Sequence, residues 1–325
     1  MPFVKNSAML KIIASIFCAA SLQLASLHAQ TVTDQNELAQ LAATPQPRGD
    51  INKIPAKKLF GSEKTPANLK PRAIGEYAHG CMAGGKALPV NGPAWQVMRL
   101  SRNRNWAMPQ MVDVLERLAS EAKQFDGWNG LLVGDLSQPR GGPMLTGHAS
   151  HQIGLDSDVW FTPMPDRLLT AKERENIAAT VMVLDRKHID PKVWTQSRAR
   201  LVKRAASYPE VARIFVHPPI KAELCKWATG DRSWLAKVRP LYGHNYHFHI
   251  RLNCPEGMKG CKNQWKPAPK DGTGCGDELA YWMGDVPWTP HKPKPGPKPT
   301  KPYVPPPPLT LSGLPAECRA VVAAP

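Results

Sequence analysis

Two short segments of this chain concentrate residue types suited to chemistry. GHASHQIGLDSDVWF, residues 147–161, holds His148, His151, Asp156 and Asp158, and GHNYHFHIRL, residues 243–252, holds His244, His247 and His249. Together they carry five of the ten histidines in the chain. A catalytic zinc takes three protein ligands of histidine or carboxylate type and keeps a fourth position open to water. One histidine and one aspartate from the first segment, with one histidine from position 247 or 249, supply that set. Imidazole, whose ordinary pKa is about 6.5, also suits proton transfer at neutral pH. The chain has no H-E-x-x-H, which excludes the common helical zinc-protease arrangement. The alternative for either segment is a set of satisfied core histidines and turn-forming aspartates; finding both segments in one chain weighs against it.

Such residues need strands to hold them. In an extended strand alternate side chains share a face, so His247, His249 and Arg251 project one way and Phe248, Ile250 and Leu252 the other. This predicts a half-buried strand with a histidine face. LDSDVWF alternates likewise: Asp156, Asp158 and Trp160 lie on one face, and Leu155, Ser157, Val159 and Phe161 on the other, with Ser157 and Trp160 spoiling the apolar pattern. ARIFVH, residues 212–217, reads as a buried strand. Met111, Val114, Leu115, Leu118 and Ala122 fall at helical spacing after Pro109. A second helix is expected from Thr170, where Thr170 and Glu173 form a T-x-x-E capping box, towards Asp185. Further helices are expected over 196–207 and 220–238.

Around this body the composition changes. With 325 residues and 42% hydrophobic content the chain can build a core. Residues 1–29 read as a secretory signal peptide: Lys5 and Lys11 precede an apolar run from Ile12 to Leu24, with a cut expected after Ala29. The run is short of the roughly 20 residues a membrane anchor needs, so no span is expected in the mature protein. Residues 30–72 read as a flexible leader, 73–286 as the body, and 287–325 as a Pro/Lys-rich tail favouring polyproline II. Cleavage removes Cys18 and leaves six cysteines, an even set that suits an oxidising compartment. Cys254 and Cys261 make a natural local loop. Cys318 lies beyond the tail, which reads as a strap returning to the body with Cys81 as its preferred partner; the alternative is a spacer reaching a partner protein. Loss of two lysines lowers the formal charge from +16 to +14, a surface that seeks polyanions such as lipid head groups and wall polymers. No nucleic-acid module is recognisable, and no nucleic-acid partner is expected.

The spacing His151-x6-Asp158 with His247-x-His249 downstream is similar to that of the lysostaphin, D-Ala-D-Ala peptidase and hedgehog-type zinc fold. GHASHQIGLD, RIFVHPPIK, KVRP and HFHIRL together resemble the penicillin-insensitive murein endopeptidase family, from about Gly75 to Cys318. The resemblance implies an α+β domain with a small central antiparallel sheet and flanking helices. It implies a zinc on His151, Asp158 and His249, with His247 as catalytic histidine and His244 as a further active-site histidine. His148, Asp185 and His188 match further ligands and would allow a second metal, although D-x-x-H at a helix end also reads as an ordinary cap. The implied disulfides are Cys81–Cys318, Cys225–Cys275 and Cys254–Cys261. Ala149 and Asp156 stand where the wider fold has serine and alanine, and Asp156 is not a candidate ligand. The implied reaction is hydrolysis of the D-alanyl to meso-diaminopimelyl cross-link of peptidoglycan by zinc-activated water in the periplasm. A D,D-carboxypeptidase on the same site and a non-catalytic, zinc-stabilised wall-binding protein are the alternatives.

Overall fold

The computed structural model describes residues 50–265, 267–290 and 304–325. The expected signal peptide, the leader up to residue 49 and the lysine-proline alternation at 291–303 lie outside the described residues. In chain order the helices are α1 (Ala56–Ser62), α2 (Pro109–Phe125), α3 (Ala171–Asn176), α4 (Gln196–Ser207), α5 (Pro218–Trp227), α6 (Asp277–Met283) and α7 (Cys318–Ala323). The strands are β1 (Arg72–Glu76), β2 (His79–Ala83), β3 (Lys86–Ala87), β4 (Asn91–Gly92), β5 (Trp95–Val97), β6 (Trp106–Ala107), β7 (Leu131–Val133), β8 (Asp156–Pro163), β9 (Val211–Val216), β10 (Val238–Pro240) and β11 (His247–Leu252). The fold is α+β.

Among the described residues the main sheet has seven strands in the order β10-β9-β11-β8-β7-β5-β4. Its centre, β9-β11-β8-β7, is antiparallel as expected, while β10 and β9, and β5 and β7, pair in parallel. Val159, Phe161, Phe248, Ile250 and Ile214 join Met111, Leu115 and Leu118 of α2 and Leu201 and Val202 of α4 in one apolar core. That leaves the other face of β8 and β11 for polar side chains.

Three expectations about extent change. The capping box at Thr170 and Glu173 forms as read, yet α3 ends at Asn176 instead of running to Asp185. Beyond it the backbone finds partners outside a helix: Thr180 N–H donates to Thr162 Oγ1 (2.8 Å), Met182 N–H to the Asn245 carbonyl (2.7 Å), and Val183 bridges Ile189. The β-branched residues Ile177, Thr180, Val181 and Val183 lose less in this extended path than in a helix. The expected 220–238 helix starts earlier, on Pro218 and Pro219 at its first turn. It then breaks after Trp227 and resumes as a 3-10 turn at Ser233–Lys237, with Gly230 at φ +66° between. Residues 56–62, which composition placed in the leader, are helical. Ala56, Leu59 and Phe60 pack in a second cluster with Leu311, Leu314, Cys318, Val321 and Val322.

The chain after residue 304 therefore does return to the body. Cys318 is bonded to Cys81, and Cys225–Cys275 and Cys254–Cys261 are the other two disulfides among the described residues. Arg140 reinforces the return, its Nη1 donating to the carbonyls of Val321, Val322 and Ala324 at the end of α7. A cation at the carboxyl end of a helix meets its unpaired carbonyls and the negative end of its dipole.

Candidate metal centre

The β8/β11 register decides which polar residues meet. Asp158 lies opposite His249, Asp156 opposite Arg251, and Trp160 opposite His247. These six share one face, as alternation predicts. On the far side of β11, Phe215 of β9 stands opposite His249, and its ring meets the imidazole edge-on at 5.3 Å. The expected half-exposure of this face is not observed: every residue of β11 is buried. Its cover includes the loop from Gly147 to Gly154, whose two glycines sit at φ +90° and +72°.

His151 in that loop is itself at φ +66°, a backbone region that few non-glycine residues adopt. Three hydrogen bonds hold it there. Its N–H donates to Asp156 Oδ2 (3.0 Å), its carbonyl accepts from Ser137 Oγ, and its Nδ1 donates to the Leu136 carbonyl (2.8 Å). Nδ1 is thus engaged, and Nε2 is buried without a hydrogen-bond partner, 3.5 Å from Asp158 Oδ1.

Asp158 Oδ1 is where the site converges. His151 Nε2 and His247 Nε2 lie 3.5 Å from it and His249 Nδ1 3.3 Å, and Oδ1 too is buried with no hydrogen-bond partner. Burial alone would raise the pKa of this carboxyl, but the positive charge that His247 and His151 take up as the pH falls, with the close contacts of His151 and His249, holds it well below the usual range. Asp156 is ionised for a different reason: burial is outweighed by Arg251, which grips both its oxygens at 2.7 and 3.0 Å, and then by His249. His249 Nε2 lies 3.0 Å from Asp156 Oδ1, an ion-pair contact without hydrogen-bond geometry, so the carboxylate draws positive charge to this ring. Burial alone would lower the His249 pKa; the Asp156 and Asp158 carboxylates outweigh it and raise it. Burial lowers His247, and it pushes His244 down to about 3 with help from the other two imidazoles. Both rings are therefore neutral bases at neutral pH.

His148 sits at the rim, with Nε2 3.5 Å from Asp158 Oδ2 and 3.0 Å from Asp135 Oδ2. Among the described residues His148, His151 and Asp158 present ligand atoms within 4.8 Å of one another and could hold a metal ion. Asp135 is held at about 2: burial would raise it, and the bond to His148 with the charges of Arg102 and Arg104 overcomes that. His244, at φ +29°, places its ring 5.0 Å from that of His247 and points Nδ1 at the Tyr242 carbonyl (3.0 Å). Asp185 and His188 are not in the convergent group. They are exposed and bound to each other at 2.9 Å, and Asp185 Oδ1 also accepts the backbone N–H groups of Lys187 and His188.

Sequence reading passed over Asp156 and Asp135. Asp156 had a signal, since alternation put it on the Asp158 face opposite an Arg251 already assigned to the histidine face; a buried carboxylate opposite an arginine is a positioning pair. Asp135 had none, because it reaches His148 through loops joined only in space.

An α+β domain with buried imidazoles gathered on one carboxylate of its central sheet is the outline of a hydrolase whose site could hold a metal. The comparisons with known proteins narrow that outline. The chain belongs to the penicillin-insensitive murein endopeptidase family, whose model matches residues 73–323, and is a peptidase. It is 46% identical to the penicillin-insensitive murein endopeptidase of Haemophilus influenzae over 240 residues, 73% of this chain and 80% of that one. It is 36% identical to the protein of that name from Klebsiella pneumoniae over 89% of this chain and 98% of that one. A Salmonella newport relative is 39% identical over 77% and 86%. Among the described residues no helix is long and apolar enough to cross a membrane.

Proposed function

We propose that this protein is a zinc-dependent murein D,D-endopeptidase of the periplasm that hydrolyses the D-alanyl to meso-diaminopimelyl cross-link between peptidoglycan stems. The observation that carries the reading is the meeting of three imidazoles at a partnerless, buried Asp158 Oδ1 in a member of this family. Its disulfides suit an exported protein.

Two imidazole nitrogens and a carboxylate oxygen are a zinc donor set; the partnerless His151 Nε2 and Asp158 Oδ1 fit it, and His249 Nδ1, 3.3 Å from that oxygen, would complete it, with His148 beside them. A zinc ion held there supplies Lewis acidity, polarising the scissile carbonyl and lowering the pKa of water to about 7. The protein does the rest. Asp156 beside His249 Nε2 and the Leu136 carbonyl on His151 Nδ1 would orient the two rings, as outer partners of metal-binding imidazoles do. His247, neutral because it is buried, takes a proton from the attacking water and passes it to the departing amine nitrogen. His244, also neutral and beside His247, is placed to share that proton. No serine or cysteine is acylated, so a β-lactam has nothing to block.

The test is digestion of purified murein by the mature protein. Loss of cross-linked dimers with unchanged pentapeptide monomers, stopped by chelation and restored by zinc, is the expected result. Loss of terminal D-alanine alone would make the protein a D,D-carboxypeptidase, and no cleavage with zinc bound would make the metal structural.

A further inference from the structure

Beside Asp158 and His148 opens a pocket of about 270 Å³ that the reaction so far leaves unused; its walls include Arg99, Arg102, Trp160 and Tyr246. We infer that this pocket seats the carboxylate that a diaminopimelyl residue carries on the carbon next to the scissile amide nitrogen. The inference deepens the endopeptidase reading and rests on it.

The charge balance of the pocket supports an anion. Asp135 is its deep acid, and Arg104, only 10% exposed, already meets that charge at 2.9 Å, with His148 at 3.0 Å. Arg102 adds one bond to the same oxygen at 3.0 Å, and its side chain is 47% exposed. Most of its five N–H donors therefore remain for a ligand. Glu175, the other carboxylate that feels Arg99 and Arg102, is turned away onto the N–H and Oγ of Ser101 at 2.8 and 2.9 Å. Arg99 is a fixed cation. It sits in left-handed backbone at φ +57°, donates to the carbonyls of Arg174 and Ile177 at 2.8 and 2.7 Å, and lies 5.2 Å over the Trp160 ring. With Asp158 counted among the lining carboxylates, the three guanidiniums of Arg99, Arg102 and Arg104 face two carboxylates, which leaves one positive charge in excess beside the proposed reaction centre, with an aromatic ring beneath Arg99.

The substrate has a matching group. In the cross-link the scissile nitrogen and a free carboxylate share one carbon, so a peptide whose carbonyl reaches Asp158 must place that carboxylate close by. Guanidinium is the side chain best shaped for a carboxylate. Arg102 is then a specificity-determining residue on the amine side of the bond, with Arg99 as its rigid companion.

The experiment compares two cross-linked muropeptide dimers, one with this carboxylate free and one with it converted to the carboxamide of the same shape. Wild type should favour the free acid by about tenfold or more in kcat/KM, the size expected of a charge-assisted hydrogen bond. Arg102→Gln should erase that preference through KM on the free acid, with zinc content unchanged, and Arg102→Lys should restore part of it. Equal cleavage of both dimers by wild type, or an equal loss on both in Arg102→Gln, would overturn the subsite while leaving the endopeptidase reading intact. Cleavage of neither dimer by wild type would overturn both.

Discussion

Asp158 and Asp185 are both aspartates within reach of histidine, and they are opposites. The side chains of Asp158 and His151 are 6% and 0% exposed, whereas those of Asp185 and His188 are 57% and 68% exposed. At Asp185 both oxygens have local partners: Oδ1 accepts two backbone N–H groups, and His188 Nδ1 lies 2.9 Å from each oxygen. At Asp158 the fold gathers lone pairs and meets few of them: His151 Nε2 and Asp158 Oδ1 are buried without a hydrogen bond. An unpaired buried polar group costs about 1–3 kcal/mol, and a fold tolerates several together where a ligand satisfies them. Residue type does not separate these two aspartates; unmet hydrogen-bonding capacity does.

Substitutions can break or sharpen this contrast. The largest effect is expected from His151→Ala, which removes a partnerless ring nitrogen at the point of convergence; dimer cleavage and bound zinc should both be lost, read by muropeptide chromatography and metal analysis. His247→Ala should keep the zinc and still slow cleavage by about 10²–10⁴-fold, the usual worth of a general acid-base group. Loss of the metal in that variant would move His247 from proton carrier to ligand. Asp156→Asn leaves the proposed ligands in place but weakens the grip on Arg251 and removes the charge beside His249 Nε2, so activity or zinc affinity should fall about 10–100-fold. A midpoint of thermal unfolding lower than wild type should accompany it, since half of a buried ion pair is left without its partner.

The smallest effect is expected at the other pole. His188→Ala should leave dimer cleavage within about threefold and stability within about 0.5 kcal/mol, the usual range for an exposed position. Loss of one metal equivalent with cleavage retained would assign Asp185 and His188 an ion of their own. Loss of cleavage as complete as in His151→Ala would end the contrast.

Much of the site was legible because strand periodicity is strict. Once LDSDVWF and HFHIRL are strands, alternation puts Asp156 and Asp158 on one face and His247, His249 and Arg251 on another, and the register then joins the two. The capping box at Thr170 was legible for a similar reason, since its bonds span three residues. The end of α3 was not, because the partners that draw the chain away, Thr162 and Asn245, are distant in sequence. The helix at Ala56–Ser62 was missed for want of a visible partner: its short apolar face, Ala56, Leu59 and Phe60, is buried against the far end of the chain.

By itself the sequence determined residue chemistry and local geometry: which atoms can ligate, which side chains share a strand face, and, at the Thr170 capping box, where a helix begins. Tertiary structure alone decided charge and need. It brought Leu136 and Ser137 to hold His151 in left-handed backbone, set Asp135 against His148, and sealed Asp158 Oδ1 beneath three imidazoles. Those outcomes depend on burial and on partners far along the chain, and both exist only after folding has removed water from the groups concerned.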